Sequence, residues 1–452
     1  MTTALFHALA VAAFAATNAP PAGNDPYGVV TAVQFLQNSK DTQGLKKLGE
    51  LGVGWVRTGI DWDVVQHKQP TPGADTFDFA FTDEMIKNAH GKGIKIFASL
   101  GNPPLWAAPC SACMPKDLKA WSRYVRRVVE RYAWLGDDIT FGIWNEPNDT
   151  YFLSESGEAF RKNSHARAEP ELYARLFNAA AKARDESDNP GARMGALEAT
   201  DAVFNPEPWW KLWKSGTWFE EAWPLISKQL KPQDFVTLHY YPPKGWKEAD
   251  LYAFMATADA GTNGRETWIT ESPGDDIPRL ALAFADRPAK RAHWKKFFVY
   301  RIWGGEDDRF SLLNEDWTSR KSFNAYRDFI KARSGKSKNG AVVVAVRPPP
   351  AEMAPGAHAT VSVTVRNTGQ SAWTAASGHK LGAQDPADNA FWRVGRVPLA
   401  AGATVKPGEE HVFTWTIAAP TKAGTYPFQW RMVQEKVEWF GRPSAASRVV
   451  VR

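Results

Sequence analysis

Ile139-Thr-Phe-Gly-Ile-Trp144-Asn145-Glu146-Pro147-Asn148 reads as an apolar run closed by a group of polar residues. Proline lacks a backbone donor, so Pro147 ends the strand and leaves Glu146 at its C-terminal rim beside an amide. The same arrangement returns at Thr267-Trp-Ile-Thr270, which runs into Glu271-Ser272-Pro273. Working outward from these two, short apolar or β-branched runs recur at Val29 to Phe35, Gly54 to Ile60, Ile94 to Leu100, Met194 to Leu197, Phe235 to His239 and Phe297 to Trp303. Segments of helical pattern separate them. Between Lys116 and Tyr132, for example, Leu118, Trp121, Val125, Val128 and Tyr132 recur at helical spacing and leave Arg123, Arg126, Arg127 and Glu130 outward. Eight strands, counting Ile139 to Trp144 and Thr267 to Thr270, alternate with helices and predict an α/β fold, a (β/α)8 TIM barrel.

Such a barrel carries its site at the C-terminal ends of its strands. Two glutamates at two of those ends, Glu146 and Glu271, meet the basic requirement for breaking a glycosidic bond. One protonates the leaving oxygen while the other attacks the anomeric carbon, at a carboxyl separation of ~5 Å for retention and ~6.5 to 9.5 Å for inversion. A single glutamate after a strand is ordinarily a salt-bridge partner or solvated. Two in these contexts favour chemistry. In Leu238-His239-Tyr240-Tyr241-Pro242 the strand alternation sends His239 and Tyr241 to one side and Tyr240 to the other, so the first two face the pocket together or not at all. His239 has a core reading as well, as a satisfied buried histidine.

These motifs resemble the large clan A of glycoside hydrolases, which carry an Asn-Glu pair at the end of strand four and a Glu at the end of strand seven. Trp144-Asn145-Glu146-Pro147-Asn148, with Gly101-Asn-Pro-Pro104 after strand three and Trp121 in the next helix, looks most like family thirty-nine, as does Lys321-Ser-Phe-Asn-Ala-Tyr326 at the start of the last barrel helix. That family includes β-xylosidases, α-iduronidases and endo-acting enzymes on bacterial exopolysaccharides. The resemblance spans about residues 28 to 330. It implies a retaining glycosidase with Glu146 as acid/base, Glu271 as nucleophile and Asn145 bonded to the sugar 2-hydroxyl. It also implies Arg57 close to the nucleophile, where a cation favours the charged carboxylate, Tyr241 bonded to Glu271, His239 on nucleophile or substrate, and Trp303 as the floor of the catalytic subsite. Trp106 and Trp62 are candidates for outer subsites; a loop tryptophan can equally cap the barrel. No metal or cofactor is implied. The substrate is a polysaccharide or oligosaccharide. Endo action on an extracellular polymer is preferred, with exo action of β-xylosidase type or binding without turnover as alternatives.

Composition is compatible with this reading and excludes others. The chain has 452 residues, 44% hydrophobic and 23% charged, ordinary globular values. Its 21 tryptophans suit stacking on sugar rings as well as core packing. With 55 basic and 49 acidic residues it carries a net charge of +6 but no basic block or stripe, which argues against a nucleic-acid partner. No stretch after the N-terminus is long and apolar enough for a membrane span. Ala4 to Ala16 followed by Thr17-Asn18-Ala19-Pro20-Pro21 is expected to be a signal peptide over residues 1–19, although no Lys or Arg precedes the apolar run; a frayed apolar terminus is the alternative. A secreted or periplasmic protein follows. Cys110 and Cys113, the two cysteines, are too few for a zinc site and are expected to form a local disulfide in an exported loop.

Ala332-Arg-Ser-Gly-Lys-Ser-Lys-Asn-Gly340 is a polar Gly/Ser-rich linker, so the catalytic domain is placed at 24–335 and a second domain at 341–452. There the pattern changes to alternating strands, Val342 to Arg347, Thr360 to Arg366, Glu410 to Ala418 and Tyr426 to Gln434, which predict an antiparallel β-sandwich. Trp373, Trp392, Trp415, Trp430 and Trp439, with Gly424-Thr-Tyr-Pro427, resemble the four-tryptophan Ig-like domain of an autophagy receptor and of bacterial secreted enzymes. The tryptophans fit a sugar-binding face or, more commonly, a core.

Overall fold

A computed structural model describes residues 25–37, 43–71, 76–200, 218–304, 310–333, 339–369 and 371–452; the signal-like residues 1–19 lie outside the described residues. Eight parallel strands close a barrel in sequence order: β1 (Tyr27–Val30), β2 (Trp55–Gly59), β3 (Lys95–Leu100), β4 (Ile139–Ile143), β5 (Met194–Thr200), β6 (Phe235–His239), β7 (Thr267–Glu271) and β8 (Trp294–Val299). The helix Leu118–Arg131 shows why the intervening segments are helical. Asp117 caps it by accepting from the Lys119 amide, while Trp121, Val125 and Val128 bury one face.

Three expected boundaries are corrected. Beyond Val30 the chain turns into a 3-10 helix, Val33–Leu36, whose buried residues Val33 and Leu36 sit three apart instead of alternating. Strand eight begins and ends earlier than the apolar run suggested. Past Val299 the regular ladder stops: Ile302 keeps one bond to Val30 O at the end of β1, while Leu312 and Leu313 donate to the carbonyls of Arg301 and Ile302, so the run also pairs with a following loop. The run Tyr426 to Gln434 is two strands, Gly424–Phe428 and Trp430–Gln434, in different sheets.

Inside the barrel, Trp55, Phe97, Phe235, Trp268 and Phe298 form a dry aromatic plug. Glycines make room for it. A Cβ on Gly28 would lie 2.4 Å from Phe298, and one on Gly142 2.5 Å from Phe97. The plug matters to the site because the next inward layer sits on it. Arg57, two residues beyond Trp55, lies 6.0 Å over the Phe97 ring.

Residues 341–451 form a β-sandwich. Ala341–Arg347, His358–Asn367 and Glu410–Ala418 make one sheet; His379–Ala383, Arg396–Pro398, Trp430–Gln434 and Glu438–Phe440 make another. They share one core. Trp373, Trp392 and Trp430 are fully buried in it, Trp415 packs against it, and Trp439 lies half-buried under Arg396. The tryptophans serve packing here. Glu352–Met353 pairs in parallel with Ser447–Val451, one departure from the antiparallel pattern. Arg442 binds Asp138 at 2.9 Å and Asp137 at 3.5 Å, just before β4. The sandwich therefore meets the barrel at the N-terminal ends of its strands, opposite Glu146 and Glu271.

One buried pair fastens the lower barrel. Arg184, on the helix Pro170–Asp185, meets Asp234 at 2.8 Å with neither side chain exposed, and Asp234 also accepts from the Met194 and Lys231 amides. Removing one partner strands the other charge. Arg184→Ala is expected to cost about 3–5 kcal/mol in urea unfolding; a loss below about 1 kcal/mol would contradict this role.

Candidate active site

Strand β4 delivers Glu146 through a strained turn. Trp144 and Glu146 have φ of 72° and 43°, left-handed values that non-glycine residues adopt at a cost. Tertiary bonds hold the turn: Trp144 donates to Phe152 O at 2.7 Å, Glu146 N to Glu198 O at 2.8 Å, and Asn148 Nδ2 to Thr200 Oγ1 at 2.8 Å. Asn148 is fully buried.

Three strand ends then converge on Arg57. Its Nη1 donates to Glu271 Oε1 at 2.5 Å, its Nη2 to Asn145 Oδ1 at 2.8 Å and to Glu198 Oε2 at 2.6 Å, and its Nε to Glu198 Oε2 at 3.0 Å. The planar guanidinium suits this, since its donors point in fixed directions to several acceptors at once. Because the Asn145 oxygen is taken by Arg57, its NH2 is left as the donor. Tyr241 donates to Glu271 Oε2 at 2.8 Å. His239 Nδ1 lies 2.8 Å from Glu146 Oε1 and 3.5 Å from Glu271 Oε2, while its Nε2 lies 3.8 Å from Glu198 Oε2, a charge contact too long for a hydrogen bond. Tyr240 turns the other way and stacks on Phe254.

Arg57, Asn145, Glu146, His239, Tyr241 and Glu271 thus come together. Trp303 and Trp106 have other partners. Trp303 stacks on Trp317, meets Phe35 edge-on and donates to Glu315 O. Trp106 is half-buried, donating to Gln66 O and edge-on to Trp62, which is itself fully buried in the core. Cys110 and Cys113 are joined by a disulfide; next to it Met114 N donates to Ser154 O, tying the loop after β3 to the loop after β4.

Glu198 is the residue that sequence reading missed. Its carboxylate is completely buried and carries half of the Arg57 contacts. The signal was present, since Glu198 is the first polar residue after the run Met194 to Leu197, as Glu271 is after its own run.

The surroundings set different proton affinities. Burial lifts the Glu146 carboxyl above its ordinary range; Glu271 and Asp149 add to this and His239 opposes it. Burial also works to raise Glu198, but the Arg57 charge outweighs it and holds Glu198 below the ordinary range. For His239 burial alone would favour the neutral ring, yet the Glu271 charge and the bond to Glu146 bring it up to about 9. Burial and the Glu271 charge push Tyr241 far up, so it remains a donor. One donor atom each of Glu146, His239 and Glu271 lies within 4.8 Å of the others.

Comparison with known proteins agrees on architecture. Residues 348–451 match the family model described as the Ig-like domain from next to BRCA1 gene. No curated protein matches the chain in sequence. A family 39 β-xylosidase from Caulobacter crescentus superposes with a TM-score of 0.53 at 17% identity, over 76% of this chain and 78% of that one. The barrel shares its fold. A monomeric β-xylosidase from Caulobacter crescentus CB15 gives 0.51 at 17% identity, over 89% of this chain and 97% of that one.

The raised His239 has a consequence for stability. An unfolded histidine titrates near 6.5 and the folded one near 9, so the extra proton favours folding fully below about pH 6.5, and this contribution fades as pH rises through 9. The stability gap between the wild-type protein and His239→Gln, measured by denaturant unfolding, is expected to shrink between about pH 6 and pH 10. A gap constant over that window would contradict an imidazolium.

Proposed function

We propose that the chain is a retaining O-glycosidase working by double displacement, with Glu271 as nucleophile and Glu146 as general acid and then base. The observation that carries this is the close approach of two unequal carboxyls. One oxygen of Glu146 comes within 4.8 Å of one oxygen of Glu271, an approach that fits the ~5 Å carboxyl separation of retaining enzymes better than the ~6.5 to 9.5 Å of inverting ones. Their environments differ as the two roles require. Glu271 is held by a cation on one oxygen and a phenol on the other, while Glu146 is pushed toward its neutral form.

In the first step the Glu271 carboxylate attacks the anomeric carbon as the bond to the leaving oxygen breaks, and Glu146 gives that oxygen its proton. In the second, Glu146 takes a proton from water, whose oxygen attacks the anomeric carbon and frees Glu271. The Asn145 NH2, oriented by Arg57, is the donor for the sugar 2-hydroxyl, a bond that strengthens as the ring approaches an oxocarbenium ion.

An extracellular polysaccharide, cleaved internally, is the substrate class we favour. The signal-like N-terminus supports export, and half-buried Trp106, in the loop after β3, offers an aromatic surface for an outer sugar. No helix among the described residues is long and apolar enough to cross a membrane.

Glu146→Ala is expected to lower kcat about 10²–10⁴-fold on glycosides with poor leaving groups. Glu271→Ala is expected to abolish turnover of every glycoside the wild-type enzyme accepts, with azide restoring it as glycosyl azide of inverted configuration. Full activity in either variant, assayed by release of reducing ends and of aryl leaving groups, would overturn the assignment.

A further inference from the structure

The mechanism above leaves Glu198 without a task, although a carboxylate with no exposure is costly to bury unless something compensates it. Its position is built. Leu197 and Glu198 have φ of 89° and 46°, and the pairing of β5 with β6 shifts register between Leu197 and Ala199, a bulge that aims Glu198 at the site. The Glu198 amide is held by Thr237 Oγ1 at 3.0 Å, and Thr270 Oγ1 lies 3.4 Å from Oε1. Its backbone carbonyl accepts from Glu146 itself.

The ionisable groups around Glu146 come from every neighbouring strand. Arg57 comes from β2, Glu198 from β5, His239 and Tyr241 from β6 or just beyond it, and Glu271 from β7; Tyr300 follows β8. Its own loop adds Asp149, whose Oδ2 lies within hydrogen-bond distance, 2.7 Å, of His165 Nδ1. Two cations, Arg57 and His239, therefore face three glutamates. With Glu198 and Glu271 ionised the cations are balanced, and a third negative charge on Glu146 would be buried without compensation.

We infer that Glu198 is a positioning residue whose buried charge occupies Arg57 and so keeps the proton on Glu146, an inference that rests on the acid/base reading of Glu146. Without Glu198 the cations outnumber the anions and Glu146 ionises at lower pH, losing the proton that the leaving group needs. Removing Arg57 together with Glu198 takes away one charge of each sign and restores the balance.

The test follows the Glu146 carboxyl by 13C NMR, assigned through its loss in Glu146→Gln, in the wild-type protein, in Glu198→Gln and in the double variant Arg57→Gln/Glu198→Gln. The pH profile of kcat/KM on an aryl glycoside is recorded alongside. In Glu198→Gln the Glu146 titration and the alkaline limb of the rate profile are expected to move down together by about one to two pH units, while the double variant returns the titration toward the wild-type position. A purely structural role would lower the melting temperature and kcat with both curves in place, and a folded Glu198→Gln protein whose Glu146 titration does not move overturns the inference. Should Glu198→Gln fail to fold, the double variant decides, since a Glu146 titration displaced by more than about one unit there contradicts charge balance. A wild-type protein inactive on all glycosides would refute the glycosidase reading, while the NMR titration still decides whether Glu198 controls Glu146.

Discussion

The arrangement depends on one buried guanidinium. Arg57 rises from β2 above an aromatic plug that excludes water, and its fork reaches side chains at the ends of β4, β5 and β7. A planar group with fixed donor directions fixes where its acceptors can stand, so the positions of Asn145, Glu198 and Glu271 are set by a single residue. A lysine would hold the charge without the geometry. The burial that makes the ion pairs strong also makes each of them obligatory, because a lone charge left in this layer has no solvent to turn to.

From that constraint the inequality of Glu146 and Glu271, the two glutamates proposed to be catalytic, follows. Glu271 has Arg57 on one oxygen and Tyr241 on the other, whereas Glu146 meets a histidine shared with Glu271 and sits on a turn with little solvent. One carboxyl is thereby suited to attack and the other to proton transfer. Strain serves the same end. The left-handed backbone at Trp144, Glu146, Leu197 and Glu198 bends two strand ends inward, at a cost that the surrounding packing must cover.

Much of this was legible in the sequence, for physical reasons. Glu146 and Glu271 stand out because proline terminates each rim segment soon after the acid, and His239 and Tyr241 because strand alternation binds them to a common side. Glu198 was hidden by the bulge in β5, where the apolar run ends before the strand does. The run reaching Trp303 reads as one strand because it stays apolar past Val299, so that hydrophobicity alone could not show that the carbonyls of Arg301 and Ile302 turn to the loop at Leu312 and Leu313. Tryptophan content was ambiguous for a related reason. In the sandwich most of it fills the core, and that domain meets the barrel on the side away from the site, which separates its role from the chemistry.

The central claim is that Glu271 forms a covalent glycosyl intermediate which Glu146 first generates and then hydrolyses. The most direct measurement is the anomeric configuration of the first-formed product, followed by 1H NMR during early turnover before mutarotation. The account predicts a product with the configuration of the substrate; accumulation of the opposite anomer would contradict it.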